Sequence, residues 1–254
     1  MASKKFDVRV YPLDDPQGST MAFASAALNV DGQDVAAIRG IRIVDGPKGM
    51  FVSMPQFRKE KEDGETKYFN VVNIKSGALL KDFNNAVLAE YAKAQSPEYK
   101  QSLTARDEAK QAQMGETPQD GGNISVSVFT TPLDDPQGST KAFASVLFKA
   151  GDEKLIDINS VRVVEGKNGL FVSMPKSKTE KGGSTEFHDI AFPLTKALHS
   201  KASSAVLAEY SRSLSAERKP RIGDMINEGK EQSAQRAANA PARQPASKTA
   251  GLGD

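Results

Sequence analysis

The sequence predicts an α+β fold made of two tandem small domains, each a hairpin-connected β-sheet closed by one C-terminal helix. Three observations predict it. The string Pro-Leu-Asp-Asp-Pro-Gln-Gly-Ser-Thr at residues 12–20 returns unchanged at 132–140, an offset of 120 residues. Apolar side chains alternate with period two through most of each copy, the signature of half-buried strands. Each copy then ends on apolar residues at helical spacing.

In the first copy the alternation of Phe6, Val8 and Val10 predicts a strand, which the Pro, Asp and Gly content of 12–19 breaks. Two long strands are predicted at 21–30 and 35–45, joined around Asp31-Gly32, whose glycine accepts the positive φ of a tight turn. Residues 45–49 form the next turn, and a strand from Phe51 to Met54 runs until Pro55 stops it. The charged, glycine-containing stretch 56–67 reads as a mobile hairpin loop and 68–72 as the returning strand. From Ser76, an N-cap candidate, Leu79, Leu80, Phe83, Val87, Leu88 and Tyr91 follow helical spacing. The second copy repeats this with strands near 125–129, 141–149, 155–164, 170–174 and 186–192, then a helix over 195–214.

Further blocks fix the alignment. Residues 22–25 match 142–145, and Gly49-Met50-Phe51-Val52-Ser53-Met54-Pro55 matches Gly169-Leu170-Phe171-Val172-Ser173-Met174-Pro175. The run Ala86-Val87-Leu88-Ala89-Glu90-Tyr91 returns at 205–210 with offset 119, so one residue is lost between, most simply in the polar loop 56–67. The chain therefore divides into a first domain at 1–95, a polar helical segment and linker at 96–123, a second domain at 124–214, and a short helix with a disordered tail at 215–254. Each copy carries its own strands and helix and is expected to close a small core alone. The weak helices are 97–114, capped by Ser96 with Pro97 at its first position, and the segment from Ile222 to Arg236.

A chain of 254 residues suits two small domains, and its 38% hydrophobic and 26% charged content with mean hydropathy −0.47 is that of a soluble globular protein. No run approaches the roughly 20 apolar residues of a spanning helix, and no apolar signal core follows Lys4 and Lys5, so a cytoplasmic protein is expected. The absence of cysteine excludes disulfides, thiolate zinc sites and cysteine nucleophiles. Net charge is only +2, and no segment departs far from balance, so any basic surface must be a local patch.

The inventory for catalysis is thin. Only His188 and His199 are present, and the first copy places Phe69 and Leu80 at the matching positions, so a duplicated active site is not expected. The histidines read as sheet-surface and helix-surface residues. No phosphate-binding glycine loop is present. Gly46, Gly49, Gly166 and Gly169 read as turn residues, and Asp14-Asp15 with Asp134-Asp135 as turn acids rather than a cation site. No enzyme, metal or cofactor is expected.

Basic residues fall in three places open to one shared surface in each copy. The loops hold Arg58, Lys59 and Lys61 in the first copy and Lys176, Lys178 and Lys181 in the second. Arg42 and Arg162 sit on strands, and Lys75, Lys81, Lys196 and Lys201 on or beside the helices. Two readings stand side by side: a solvated mixed-charge surface, because acids interleave with the lysines, or a nucleic-acid surface that grips phosphate more than it reads bases. A third use of the chain is as a protein-interaction module, docking a partner through 222–236 with Ile222, Met225 and Ile226 on one side.

The block from Ile41 to Pro55, followed by a basic loop and a helix ending in Ala86-Val87-Leu88-Ala89-Glu90-Tyr91, resembles the SpoVG family of bacterial septation regulators. The second copy is closer still, through Val161 to Lys178, then Phe187-His188-Asp189-Ile190-Ala191-Phe192-Pro193-Leu194 and 205–210. The resemblance covers about 170 residues, leaving linker and tail aside. It implies a small antiparallel sheet with a C-terminal helix, a dimer formed by joining sheets, and a non-enzymatic regulator that binds DNA and RNA, with self-association and no membrane partner. Family members usually carry one copy, so this tandem chain is expected to pair its copies as an intramolecular pseudo-dimer. The 28-residue linker 96–123, spanning roughly 30 Å as a flexible coil, allows it. The nucleic-acid contacts expected are Arg42, Arg58, Lys59, Lys81, Arg162, Lys176, Lys178 and Lys201. The family's basic residue and aspartate on the returning strand are His188 and Asp189 in the second copy but Phe69 and Asn70 in the first, where Gln56 also replaces the first basic loop position. The second copy is therefore expected to contribute more to binding.

Overall fold

The computed structural model describes residues 3–16, 18–60, 64–96, 98–99, 102–103, 122–134, 136, 138–181 and 183–217. The helix expected at 97–114 falls almost wholly, and the segment 222–236 and the tail wholly, outside them. The unit Met1–Ser213 holds both copies, and Leu214–Asp254 is a second unit.

The chain is α+β, with antiparallel strands and one long helix in each tandem half. The first copy contributes β1 (Lys4–Pro12), β2 (Thr20–Val30), β3 (Gln33–Gly46), β4 (Gly49–Ser53), β5 (Gln56–Glu60), β6 (Thr66–Asn70), β7 (Val72–Ile74) and α1 (Gly77–Lys93). The second contributes β8 (Ile124–Pro132), β9 (Thr140–Ala150), β10 (Glu153–Gly166), β11 (Gly169–Ser173), β12 (Lys176–Lys181), β13 (Ser184–Asp189), β14 (Ala191–Pro193) and α2 (Lys196–Glu217). Asp31 and Gly32 both adopt positive φ, 51° and 84°, in the expected two-residue turn between β2 and β3. The expected cap is present, Ser76 Oγ accepting from the Leu79 N–H at 3.4 Å, and Thr195 Oγ1 accepts from the Leu198 N–H at 3.2 Å in the same way at the start of α2.

Strand alternation gives each sheet an inner and an outer face. In the first copy the inner face is Val8, Val10, Ala22, Ala24, Leu28, Ile41 and Ile43, all buried, and α1 covers it with Leu79, Phe83 and Val87. The Phe6 and Phe83 rings meet edge to face, 5.1 Å between centroids. Each valine, leucine, isoleucine or phenylalanine side chain withdrawn from water contributes about 2 kcal/mol. The small residues Ala22, Ala24 and Ala26 on β2 leave room for the helix to lie close to the sheet.

The expectation that each copy closes its own core is overturned at one strand in each copy. β7 of the first copy pairs antiparallel with β10 of the second, and β14 of the second pairs antiparallel with β3 of the first. The exchange is reciprocal bond by bond. Asn159 N–H donates to the Val71 carbonyl at 2.7 Å, as Arg39 N–H does to Ile190 at 2.7 Å. Lys75 N–H donates to Leu155 at 2.8 Å, as Leu194 N–H does to Val35 at 3.1 Å. Reciprocity of this kind is the mark of a twofold interface, here within one chain. Ion pairs cross the same junction, Lys75 with Asp157 at 2.9 Å and Lys4 with Glu153. This is the pseudo-dimer the resemblance implies, held by exchanged strands.

A bulge makes room for it. β3 and β10 each share one edge between their own hairpin partner and the exchanged strand, and the register shifts where the two meet, between Ala24 and Ala26 and between Ile158 and Val161. Gly40 and Ser160 take positive φ there, 72° and 59°. Serine is strained in that region and glycine is not. Ser160→Gly is therefore expected to raise stability by roughly 0.5–1 kcal/mol, seen as a higher thermal midpoint; an unchanged or lower midpoint would contradict the strain.

Two expectations about the loop change. Residues 56–67 are largely a two-stranded arm, β5 with β6, matched by β12 with β13, and the one-residue loss falls at its tip: Glu60 pairs with Thr66, but Glu180 with Thr185. The returning strand is not continuous, because Val71 turns into the core after Asn70 and the chain crosses to the other copy as β7. Past α1, Tyr99 is buried: its hydroxyl donates to Glu90 at 3.1 Å and accepts from the Val10 N–H at 3.0 Å.

Candidate nucleic-acid interface

The two β-arms carry the loop cations predicted from sequence. Pairing across β5 and β6 places Phe57 opposite Phe69 and Lys59 opposite Lys67, and since alternate residues share a face, these four lie together. Lys59, Lys67 and Phe69 are exposed. The other face pairs Gln56 with Asn70, hydrogen-bonded at 2.9 Å, and Arg58 with Tyr68. Arg58 also holds Glu60 in an ion pair. In the second arm the same face pairs Lys176 with Asp189, 3.1 Å apart, and Lys178 with Phe187, with Lys178 on Glu180 at 2.7 Å. Its opposite face, Ser177 with His188 and Thr179 with Glu186, lacks the lysines of the first arm.

The arms thus differ in a way the sequence does not announce. Both are charge-balanced, yet the first concentrates two lysines and two rings on one face. Like charges directly opposite destabilise a strand pair by a fraction of a kcal/mol to ~1 kcal/mol, a cost that a bound polyanion reverses. Lys176 and Lys178 are engaged by carboxylates, although exposed pairs of this kind hold a lysine weakly. The expected preference for the second copy finds no support in the geometry of the arms.

The remaining predicted cations do not share one face of the sheet. Arg42 and Arg162 stand on the outer faces of β3 and β10, away from the helix-covered face. Arg42 donates to Ser53 Oγ at 3.2 Å across to β4; the Arg162 side chain makes no hydrogen bond or ion pair among the described residues. Lys81 is exposed on α1, on the other side of the sheet. Lys201 is turned to structural use, donating from Nζ to the Ile124 carbonyl at 2.6 Å. Lys61 lies outside the described residues, as does the side chain of Lys181.

Sequence reasoning passed over the aromatics. Every exposed aromatic side chain among the described residues sits on an arm (Tyr68, Phe69, Phe187) or on the outer sheet faces (Tyr11, Phe23, Phe51, Phe129, Phe143, Phe171). The signal was present: Ala22-Phe23-Ala24 and Ala142-Phe143-Ala144 put small residues in the buried phase and a ring in the solvent phase of the alternation. His188 is half exposed, 3.4 Å from Glu186, and His199 is exposed on α2. Among the described residues no cluster of three His, Asp or Glu could hold a metal ion, and no helix is long and apolar enough to cross a membrane.

The chain matches the SpoVG family over residues 3–93 and again over 124–212, the two copies that exchange strands. A relative from Clostridium acetobutylicum, named "Putative septation protein SpoVG", is 43% identical over 76 residues, 30% of this chain and 73% of its own. A relative of the same name from Geobacillus thermodenitrificans is 42% identical over 76 residues, covering 30% of this chain and 72% of that one. The matched segments together take in most of the polypeptide, so the chain belongs to the SpoVG family, with two copies of its domain in one molecule.

Proposed function

We propose that the protein is a cytoplasmic, non-enzymatic regulator that binds DNA or RNA, mainly through phosphate, in the septation and gene control with which its family is associated. The observation that carries this reading is the face of the first arm, where Lys59 and Lys67 stand opposite one another beside Phe57 and Phe69. Apposed lysines on a solvent-exposed ribbon are unfavourable by themselves and favourable against a polyanion, and neighbouring rings add stacking to charge. The second arm has no such face; it pairs one cation with a ring, Lys178 with Phe187, on the face that carries Arg58 and Tyr68 in the first.

The test is fluorescence anisotropy of the full chain with labelled single-stranded DNA, duplex DNA and RNA. Saturable binding to at least one probe at low salt, weakening toward physiological salt, is the expected result. No binding to any of them at low salt would contradict the proposal and direct attention to protein partners.

A further inference from the structure

We infer that the outer face of each five-stranded sheet is a stacking platform for unpaired bases, built from two phenylalanines around an arginine and present once per copy. The inference rests on the nucleic-acid reading above and names the form of the ligand, single-stranded DNA or RNA.

In the first copy one cross-strand row runs Tyr11, Phe23, Arg42, Ser53, from β1 to β4, and Phe51 stands two residues from Ser53 on the same face. In the second the row is Thr131, Phe143, Arg162, Ser173, with Phe171 in the place of Phe51. The rings stay in solvent to matching degrees, 43% and 45% for Phe23 and Phe143, 48% and 49% for Phe51 and Phe171. Folding does not fully explain such rings, since each forgoes nearly half of the burial open to a phenylalanine.

The second ring is also held in place. A Cβ at Gly46 would lie 2.9 Å from Phe51 Cε1, and one at Gly166 3.0 Å from Phe171 Cε1. Neither glycine has a positive φ, so the turn does not demand glycine there; the ring lying over its backbone does. An exposed aromatic seated on a bare backbone is oriented before any ligand arrives.

Charge selects the occupant. Neither row contains a carboxylate, and each has an arginine at its centre, which can pair with phosphate or stack on a base. A second copy of this chain on the same face would bury those arginines without a counter-charge. Strand spacing and rise put the two rings roughly 10–12 Å apart with the arginine between, a length of extended single strand rather than one base. A duplex keeps its base faces stacked on one another, so only unpaired bases can use the rings. The second platform has the freer arginine and an additional exposed ring, Phe129, diagonal to Phe143.

The experiment compares a labelled oligothymidine strand with a duplex of equal length, using the full chain. Phe143→Ala with Phe171→Ala is expected to weaken single-strand binding about tenfold or more while leaving duplex binding and the thermal midpoint nearly unchanged. Tyrosine at both positions should restore it. Gly166→Ala, which keeps every ring and charge, should weaken the single strand alone. Loss of single-strand and duplex binding in equal measure, or no loss of either, would overturn the platform while leaving phosphate binding by the arms intact. A wild-type chain that is dimeric by light scattering and becomes monomeric with the alanine pair would also overturn it, in favour of a second copy. Failure of the wild type to bind any probe would remove the underlying nucleic-acid reading itself.

Discussion

Val72→Asp is expected to unfold both copies together. Val72 is fully buried in the first copy's short exchanged strand, opposite Ile158 of the second, which is itself buried. An aspartate there places an unpaired carboxylate in the seam and removes the valine's packing, a combined cost of roughly 4 kcal/mol or more. Typical domains have only about 5–15 kcal/mol in hand. Because β7 completes the sheet of β8 to β11, the damage is not confined to the copy that carries the mutation. Denaturant unfolding followed by circular dichroism should show one transition at a much lower midpoint. Two transitions, with one copy retaining its original midpoint, would show that the copies fold independently and would contradict strand exchange. The mirror substitution at fully buried Ala191, Ala191→Asp, should behave the same way.

Charge reversal in the first arm is expected to separate stability from binding. Lys59→Glu turns a repulsive cross-strand pair with Lys67 into an attractive one, which should raise stability by a few tenths of a kcal/mol to ~1 kcal/mol. The same change should weaken nucleic-acid binding, and adding Lys67→Glu should weaken it by one to two orders of magnitude at low salt through lost phosphate contacts. Anisotropy and thermal melting on the same preparations check both halves. Reversing Lys176 and Lys178 should cost less, because Asp189 and Glu180 already draw on their charge. Equal losses from the two arms would show that net charge alone governs binding, and a larger loss from the second arm would restore the ranking the sequence suggested.

Much of this was legible from the chain alone, for identifiable reasons. The exact repeat fixed the duplication, period-two alternation found the strands from Phe6 to Met54, and Ser76 marked the start of the first helix because a cap is a local event. Strand exchange was not readable locally. Alternation says which face of β7 is buried but not whose edge it joins, and Val72 would look the same in either sheet. The stretch 56–67 read as a loop because the strands of the arm are exposed on both faces and so lose the alternation. At the site, the cations were named individually but not their partners. Lys201 reaches Ile124 across the fold, and Lys59 meets Lys67 only through the register of the arm. The rings of the outer faces were missed because a phenylalanine in a strand is ordinarily assigned to the core.

The central claim is that this interlocked pair binds nucleic acid through phosphate, and its most direct test is the affinity of the intact chain for a labelled single strand across a salt titration. The account predicts a straight fall of log affinity with log salt, with a slope of about −0.7 for each phosphate neutralised and several phosphates engaged. Reversal of Lys59 and Lys67 should make that slope shallower by roughly 1.4. Affinity that does not change with salt, or no saturable binding at the lowest salt, would contradict it.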